Sequence, residues 1–113
     1  MPTHRIEKMS ALLKREISQL INLDFAEEGG LITVCDIKLS ADFKQAVVYI
    51  TIFNKDNEAE ILSSLGDKKN DYQHILGRKL KIKFSPRLTF KIDHSQEKID
   101  QVDKLLKEID HVS

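Results

Sequence analysis

Lys79-Leu80-Lys81-Ile82-Lys83-Phe84-Ser85-Pro86-Arg87-Leu88-Thr89-Phe90-Lys91-Ile92 decides how this chain is read. Leu80, Ile82, Phe84, Leu88, Phe90 and Ile92 share one parity, and Lys79, Lys81, Lys83, Arg87 and Lys91 share the other. Side chains of a strand alternate between its two faces, so the stretch predicts a half-buried strand with an apolar back and a cationic front. Pro86 cannot donate a ladder hydrogen bond, which predicts a sheet edge or a bulge there. Five cations on one face repel one another, and they are best accommodated beside a polyanion, of which nucleic acid is the commonest.

Outward from this stretch, the apolar pattern changes period. Ile6, Met9, Leu13, Ile17, Leu20 and Ile21 recur at steps of three and four, predicting a helix from about His4 to Asn22. Arg5, Lys8 and Arg15 form a cationic edge beside that stripe. Asp24 to Gly30 reads as a polar loop, followed by strands at about Leu31–Leu39 and Ala46–Phe53 that should pair antiparallel. Ser40 and Asp42 in the connection can hold backbone donors. Asn57 with Glu60 matches a capping pattern for a helix carrying Ile61, Leu62 and Leu65. Gly66 to Asn70 should kink or interrupt it before Tyr72, Ile75 and Leu76 resume the stripe. Ser95 opens a last helix with Ile99, Val102, Leu106 and Ile109 on one face. The predicted order is α-β-β-α-α-β-α, an α+β two-layer sandwich within one domain spanning residues 1–113.

A chain of 113 residues can bury about two-thirds of its unfolded surface, so it needs neither disulfide nor metal to fold. The single Cys35 reads as a small buried hydrophobe. No signal peptide and no apolar run of membrane-spanning length is evident, which predicts a cytoplasmic protein that does not engage membranes. Net charge is zero, yet it is segregated: residues 1–15 carry net plus three, 16–67 minus seven, 68–91 plus seven and the remaining tail minus three. Local field rather than net charge governs docking on a phosphate backbone, so the balance does not exclude nucleic acid.

Catalysis finds little support. His4, His74, His94 and His111 are scattered without partners at metal-site spacing, and no phosphate loop or dinucleotide fingerprint occurs. Asp93-His94-Ser95 reads as a turn with capping side chains, not a triad, because adjacent residues rarely converge on one atom. No metal, cofactor or catalytic residue is predicted. Phe84 and Phe90 fall on the apolar parity and are expected in the core. That favours recognition of folded RNA by shape and charge over stacking on splayed bases.

The order β-α-α-β with a basic helix-helix junction resembles the KH domain, but the junction reads Gly66-Asp67-Lys68-Lys69-Asn70 and lacks a Gly-x-x-Gly loop. The whole chain resembles the bacterial ribosome-binding factor A family. The likeness is carried by the amphipathic basic first helix, Asp36-x-x-Leu39-Ser40-x-Asp42-x-x-x-Ala46-x-Val48-Tyr49-Ile50 and Ile75-Leu76-Gly77-Arg78. It is carried most specifically by Leu80-Lys81-Ile82-x-x-x-Pro86-x-Leu88-x-Phe90-x-x-Asp93-x-Ser95. The resemblance implies a type II KH-like fold, a three-stranded sheet packed by helices on one face, with a helix-kink-helix replacing the Gly-x-x-Gly loop. Lys68-Lys69-Asn70 stands at that kink, departing from the family's usual Ala at the first position.

The resemblance further implies a monomeric, non-enzymatic assembly factor. It would bind the immature small (30S) ribosomal subunit and its 16S rRNA and assist late maturation and 5′-end processing, beside other assembly factors such as a GTPase. Arg5, Lys8, Arg15, Lys68, Lys69, Arg78, Lys81, Lys83 and Arg87 are the candidate RNA-binding residues. A KH-like regulator of other RNAs and a protein-interaction adaptor using the basic strand are the alternatives.

Overall fold

The computed structural model describes residues 2–26, 32–53 and 55–95. Helix α1 (Pro2–Asp24) begins on a proline, whose missing N–H would have no intrahelical partner in the first turn anyway. Its buried positions Leu13, Ile17 and Ile21 recur every fourth residue, and Phe25 extends the stripe past the helix end. Strands β1 (Ile32–Leu39) and β2 (Gln45–Ile52) pair antiparallel, from Ile32 opposite Ile52 to Leu39 opposite Ala46. A short 3-10 turn (Lys55–Asn57) leads into helix α2 (Glu58–Lys79), which returns the chain to β3 (Arg87–Ile92). Strand β3 lies parallel to β2 and occupies one edge of the sheet, in the order β1-β2-β3.

One face of the sheet is dry. Ile32, Val34 and Ile37 of β1, Ala46, Val48, Ile50 and Ile52 of β2, and Leu88 and Phe90 of β3 are buried. Helix α1 packs over β1 and α2 over β3, which makes an α+β sandwich with both helices on that face. Each fully buried Leu or Ile contributes about 1.5–3 kcal/mol of transfer free energy, so this interface is the main source of stability. Tyr72 ties three elements together. Its ring meets Phe90 edge-on at 6.4 Å, and its hydroxyl donates to Asp24 Oδ2 at 2.7 Å. Burial, then the hydrogen bond to Asp24 and that carboxylate's charge, raises the Tyr72 pKa, so the phenol stays neutral.

The structure corrects the sequence reading in several places. Lys79 to Ile92 is not one strand: Lys79 ends α2, and pairing with β2 starts only at Arg87. The chain leaves the helix through a left-handed Lys81 (φ 55°). Around it, Lys81 N–H donates to Arg78 O at 3.4 Å and Ile82 N–H to Gly77 O at 3.1 Å, the paired bonds of a Schellman stop. Glycine usually marks that position, and a lysine there hides the helix end from a sequence reader.

The predicted kink or interruption at Gly66–Asn70 does not break the helix, since α2 is continuous from Glu58 to Lys79. Glycine costs about 1 kcal/mol in a helix interior, an amount that burial of Leu65 and Tyr72 on either side exceeds. Asn57 stands at the N-terminal cap without using its side chain. Cys35 is half-buried on the open sheet face, beside a register shift between Val34 and Asp36, with Sγ 3.6 Å from Thr51 Oγ1. Phe84 is 79% exposed, whereas Phe90 is 9% exposed as the parity required. The predicted loop to Gly30 and the last helix through Ile109 lie outside the described residues, apart from Asp24–Ala26 and Ser95.

Candidate nucleic-acid interface

Three segments distant in sequence meet around a groove of about 730 Å³. They are the N-terminal half of α1, the β1–β2 connection, and the stretch between α2 and β3. Met9, Phe43, Ile82, Phe84 and Pro86 supply apolar lining, and Lys44, Lys83 and Arg87 supply positive charge. Arg5 stands beside it, with its guanidinium carbon 5.9 Å from the centre of the Phe43 ring.

The β1–β2 connection is held rigidly. Ser40 O accepts the Phe43 N–H at 3.0 Å, and Phe43 adopts φ 61° to let the chain turn back. Asp42 Oδ1 accepts the Ser40 hydroxyl at 2.6 Å and the Lys44 N–H at 3.0 Å. These donors, the Ser40 hydroxyl first, hold the Asp42 carboxyl below its ordinary pKa. Asp42 is the one acidic side chain lining the groove among the described residues. Arg87 N–H donates to Lys44 O at 2.8 Å, which fixes the connection to the start of β3. On the other side, Leu88 N–H is taken by Gln73 Oε1 of α2 at 2.9 Å.

A second hollow of about 420 Å³ adjoins the first. Gln73, His74, Gly77 and Arg78 of α2 line it together with Ile82, Lys83, Phe84 and Ser85. Lys83 and Phe84 thus form a ridge between two depressions, with the Lys83 ammonium 5.7 Å from the Phe84 ring centre.

The predicted site residues divide accordingly. Arg5, Lys83 and Arg87 converge on the main groove, and Arg78 lines the adjoining hollow. Lys8 is exposed on α1 one turn beyond Arg5. Lys69 is exposed midway along α2, and Lys81 is exposed in the helix stop. Lys68 and Arg15 are engaged elsewhere. Lys68 Nζ is 3.5 Å from Asp24 Oδ2, in a hollow that Asp71 also lines.

Arg15 pairs with Glu16 at 3.4 Å, while Lys79 Nζ approaches the other oxygen of Glu16 at 2.7 Å. Glu16 is buried against the core edge, and the Lys79 hydrogen bond chiefly holds its pKa below the ordinary value. The cationic strand face therefore does not exist as such, and the positive surface is assembled from loops and helix ends instead. Lys44 lies in the acidic segment of the chain and gives no local signal; the parallel pairing of β2 with β3, which opens with the Arg87–Lys44 backbone bond, brings it to the basic one. Asp93 accepts the Ser95 N–H at 2.9 Å, a capping arrangement rather than a catalytic one.

Comparison with known proteins agrees with this architecture. The ribosome-binding factor A family model matches residues 5–106. Ribosome-binding factor A of Bdellovibrio bacteriovorus is 32% identical over 108 residues, covering 94% of this chain and 81% of the relative. The crystal structure of the Thermus thermophilus protein superposes with a TM-score of 0.67 at 26% identity, covering 77% of this chain and 94% of that one. A homology model of the Thermus thermophilus protein, fitted into a cryo-electron microscopy map of a 30S complex, gives a TM-score of 0.61 at 27% identity. That alignment covers 75% of this chain and 91% of the other. The KH-like α+β fold of these structures is the fold described above. On the extent of the family match, the chain belongs to the ribosome-binding factor A family.

Proposed function

We propose that this protein binds the immature small (30S) ribosomal subunit through its 16S rRNA. It assists late maturation and 5′-end processing of that RNA without itself catalysing a reaction. The observation that carries the reading is the groove where Arg5, Lys44, Lys83 and Arg87 gather from three segments, with Asp42 the one acidic side chain lining it among the described residues. Cations gathered around one groove fit phosphates, which position a protein on folded RNA without reading sequence. Membership of the family, with one relative fitted into a map of a 30S complex, supports the same partner.

In this reading the protein acts as a cytoplasmic monomer alongside other assembly factors such as a GTPase. It holds one rRNA conformation and leaves when the mature arrangement is bound less tightly, a population shift that needs differential affinity between the two states. Lys8, Lys69, Arg78 and Lys81 flank the contact, whereas Lys68 and Arg15 contribute less because Asp24 and Glu16 already engage them.

The test is co-sedimentation with immature small subunits. Lys83→Glu combined with Arg87→Glu should abolish it while the circular dichroism spectrum stays unchanged, since both side chains are exposed. Undiminished co-sedimentation of the double variant would remove the groove from the interface.

A further inference from the structure

Phe84 carries an aromatic ring 79% exposed, on a ridge flanked by hollows of about 730 and 420 Å³. It comes from a short stretch between α2 and β3 whose two ends are pinned. The Schellman stop at Lys81 fixes one end, and the Arg87–Lys44 and Leu88–Gln73 hydrogen bonds fix the other. Its neighbour Ile82 is half-buried and Pro86 is fully buried, so the chain is anchored on both sides of the ring. Exposing a phenylalanine at a held position forgoes the burial that Phe90 has in β3. The charges around it are mostly positive: Lys83 over the ring, Arg78 in the smaller hollow, and Lys44 and Arg87 in the larger, against Asp42 alone among the described acidic side chains lining it.

An exposed aromatic ring on an anchored stretch of backbone beside cations is the arrangement that stacks on an unpaired base while the adjacent phosphates are neutralised. A peptide of acidic residues alone would use the cations and leave the ring without a partner. The larger hollow falls within the roughly 300–1,000 Å³ that accepts small ligands, ample for a nucleotide.

We propose that Phe84 is a stacking platform for one unpaired base of an RNA strand whose phosphates follow Lys44, Lys83 and Arg87. The proposal rests on the RNA-binding reading above and adds base contact to what charge alone would provide. It reverses the expectation that this protein recognises RNA by shape and charge without aromatic help.

The test uses the full chain, single-stranded oligoadenylate of about 12 nucleotides, and an abasic strand of the same length. The chain contains no tryptophan, so Phe84→Trp places a single indole on the ridge. Oligoadenylate should quench that fluorescence, and the abasic strand should not. Phe84→Leu, which keeps the side chain apolar but removes the ring, should weaken oligoadenylate binding roughly ten-fold and leave abasic binding unchanged. Phe84→Tyr should restore it.

Equal affinities of wild type and Phe84→Leu would overturn the proposal. So would no wild-type binding to oligoadenylate, or equally tight binding of a glutamate oligopeptide. These outcomes are separable from failure of the ribosomal reading. Wild type that co-sediments with subunits while Phe84→Leu binds oligoadenylate normally loses the stacking contact alone. Wild type that does not co-sediment loses the ribosomal partner, and quenching in the Phe84→Trp variant still decides the stacking.

Discussion

Replacing Lys83 and Arg87 by glutamine should halve the salt dependence of RNA binding. Four cations gather at the main groove: Arg5, Lys44, Lys83 and Arg87. Each phosphate neutralised adds about −0.7 to −0.9 to the slope of log affinity against log salt, so four give a slope near −3. Between about 50 and 200 mM salt, that slope costs roughly 60-fold in affinity. Removing two charges should leave a slope near −1.5, and the loss over the same range should shrink to roughly 8-fold. Glutamine is preferred to glutamate here because it deletes the attraction without adding repulsion. Lys68→Gln is the internal control, since Asp24 already holds that ammonium at 3.5 Å and little counterion release should be lost with it. The assay is fluorescence anisotropy of a labelled small-subunit rRNA transcript, titrated at several KCl concentrations. A double variant with the wild-type slope, or a Lys68→Gln slope reduced by as much, would refute the assignment of phosphates to this groove.

Three further outcomes follow from the packing and the charges. Lys81→Gly should raise stability by about 1 kcal/mol in urea unfolding, because it removes the Cβ from a left-handed position, and a loss would argue against the helix stop. Phe90→Ala should cost about 3–5 kcal/mol while Phe84→Ala stays within about 0.5 kcal/mol, a contrast that denaturant midpoints measure directly. Stability should also decline in acid. Glu16, Asp42 and Asp93 have folded-state pKa values below their ordinary 4.5, 3.8 and 3.8, so their contribution is complete above those values. It is lost as pH falls through the lower folded-state values. Glu16→Gln should flatten that acid limb, and an unchanged limb would show that its ion pairs contribute nothing.

The antiparallel β1–β2 pair and α1 were legible because their apolar periods are regular over many residues, and Ser40 and Asp42 do hold backbone donors. Strand β3 does lie at the sheet edge as expected, although Pro86, on which that expectation rested, stands just before the strand. What could not be read was the boundary at Lys79–Arg87. Alternation at Leu80, Ile82 and Phe84 imitates a strand, yet Leu80 and Ile82 are half-buried in a turn and Phe84 points into solvent. A left-handed lysine gives no compositional signal. The candidate site was legible in residue type and blurred in place. Arg5, Lys83 and Arg87 do meet, but Lys44 joins them through a tertiary bond, and Lys68 is drawn away by an aspartate far back in the chain. The first pairing depends on the sheet's register and the second on how α1 meets α2, neither of which a local pattern encodes. Glu16 was invisible for the same reason, since its partner Lys79 arrives from the far end of α2.

The parallel placement of β3 also orders events during folding. Leu39 and Ala46 can pair as soon as their short connection closes, whereas Arg87 must find Gln45 after the whole of α2 has intervened. Closing that longer loop is slower and carries the larger entropic cost, so the last strand docks late. One wall of the groove comes from the early hairpin and the other from this latecomer. A nascent or partly denatured molecule therefore has no completed cleft to offer, and association with RNA becomes a report on whether the chain has finished folding.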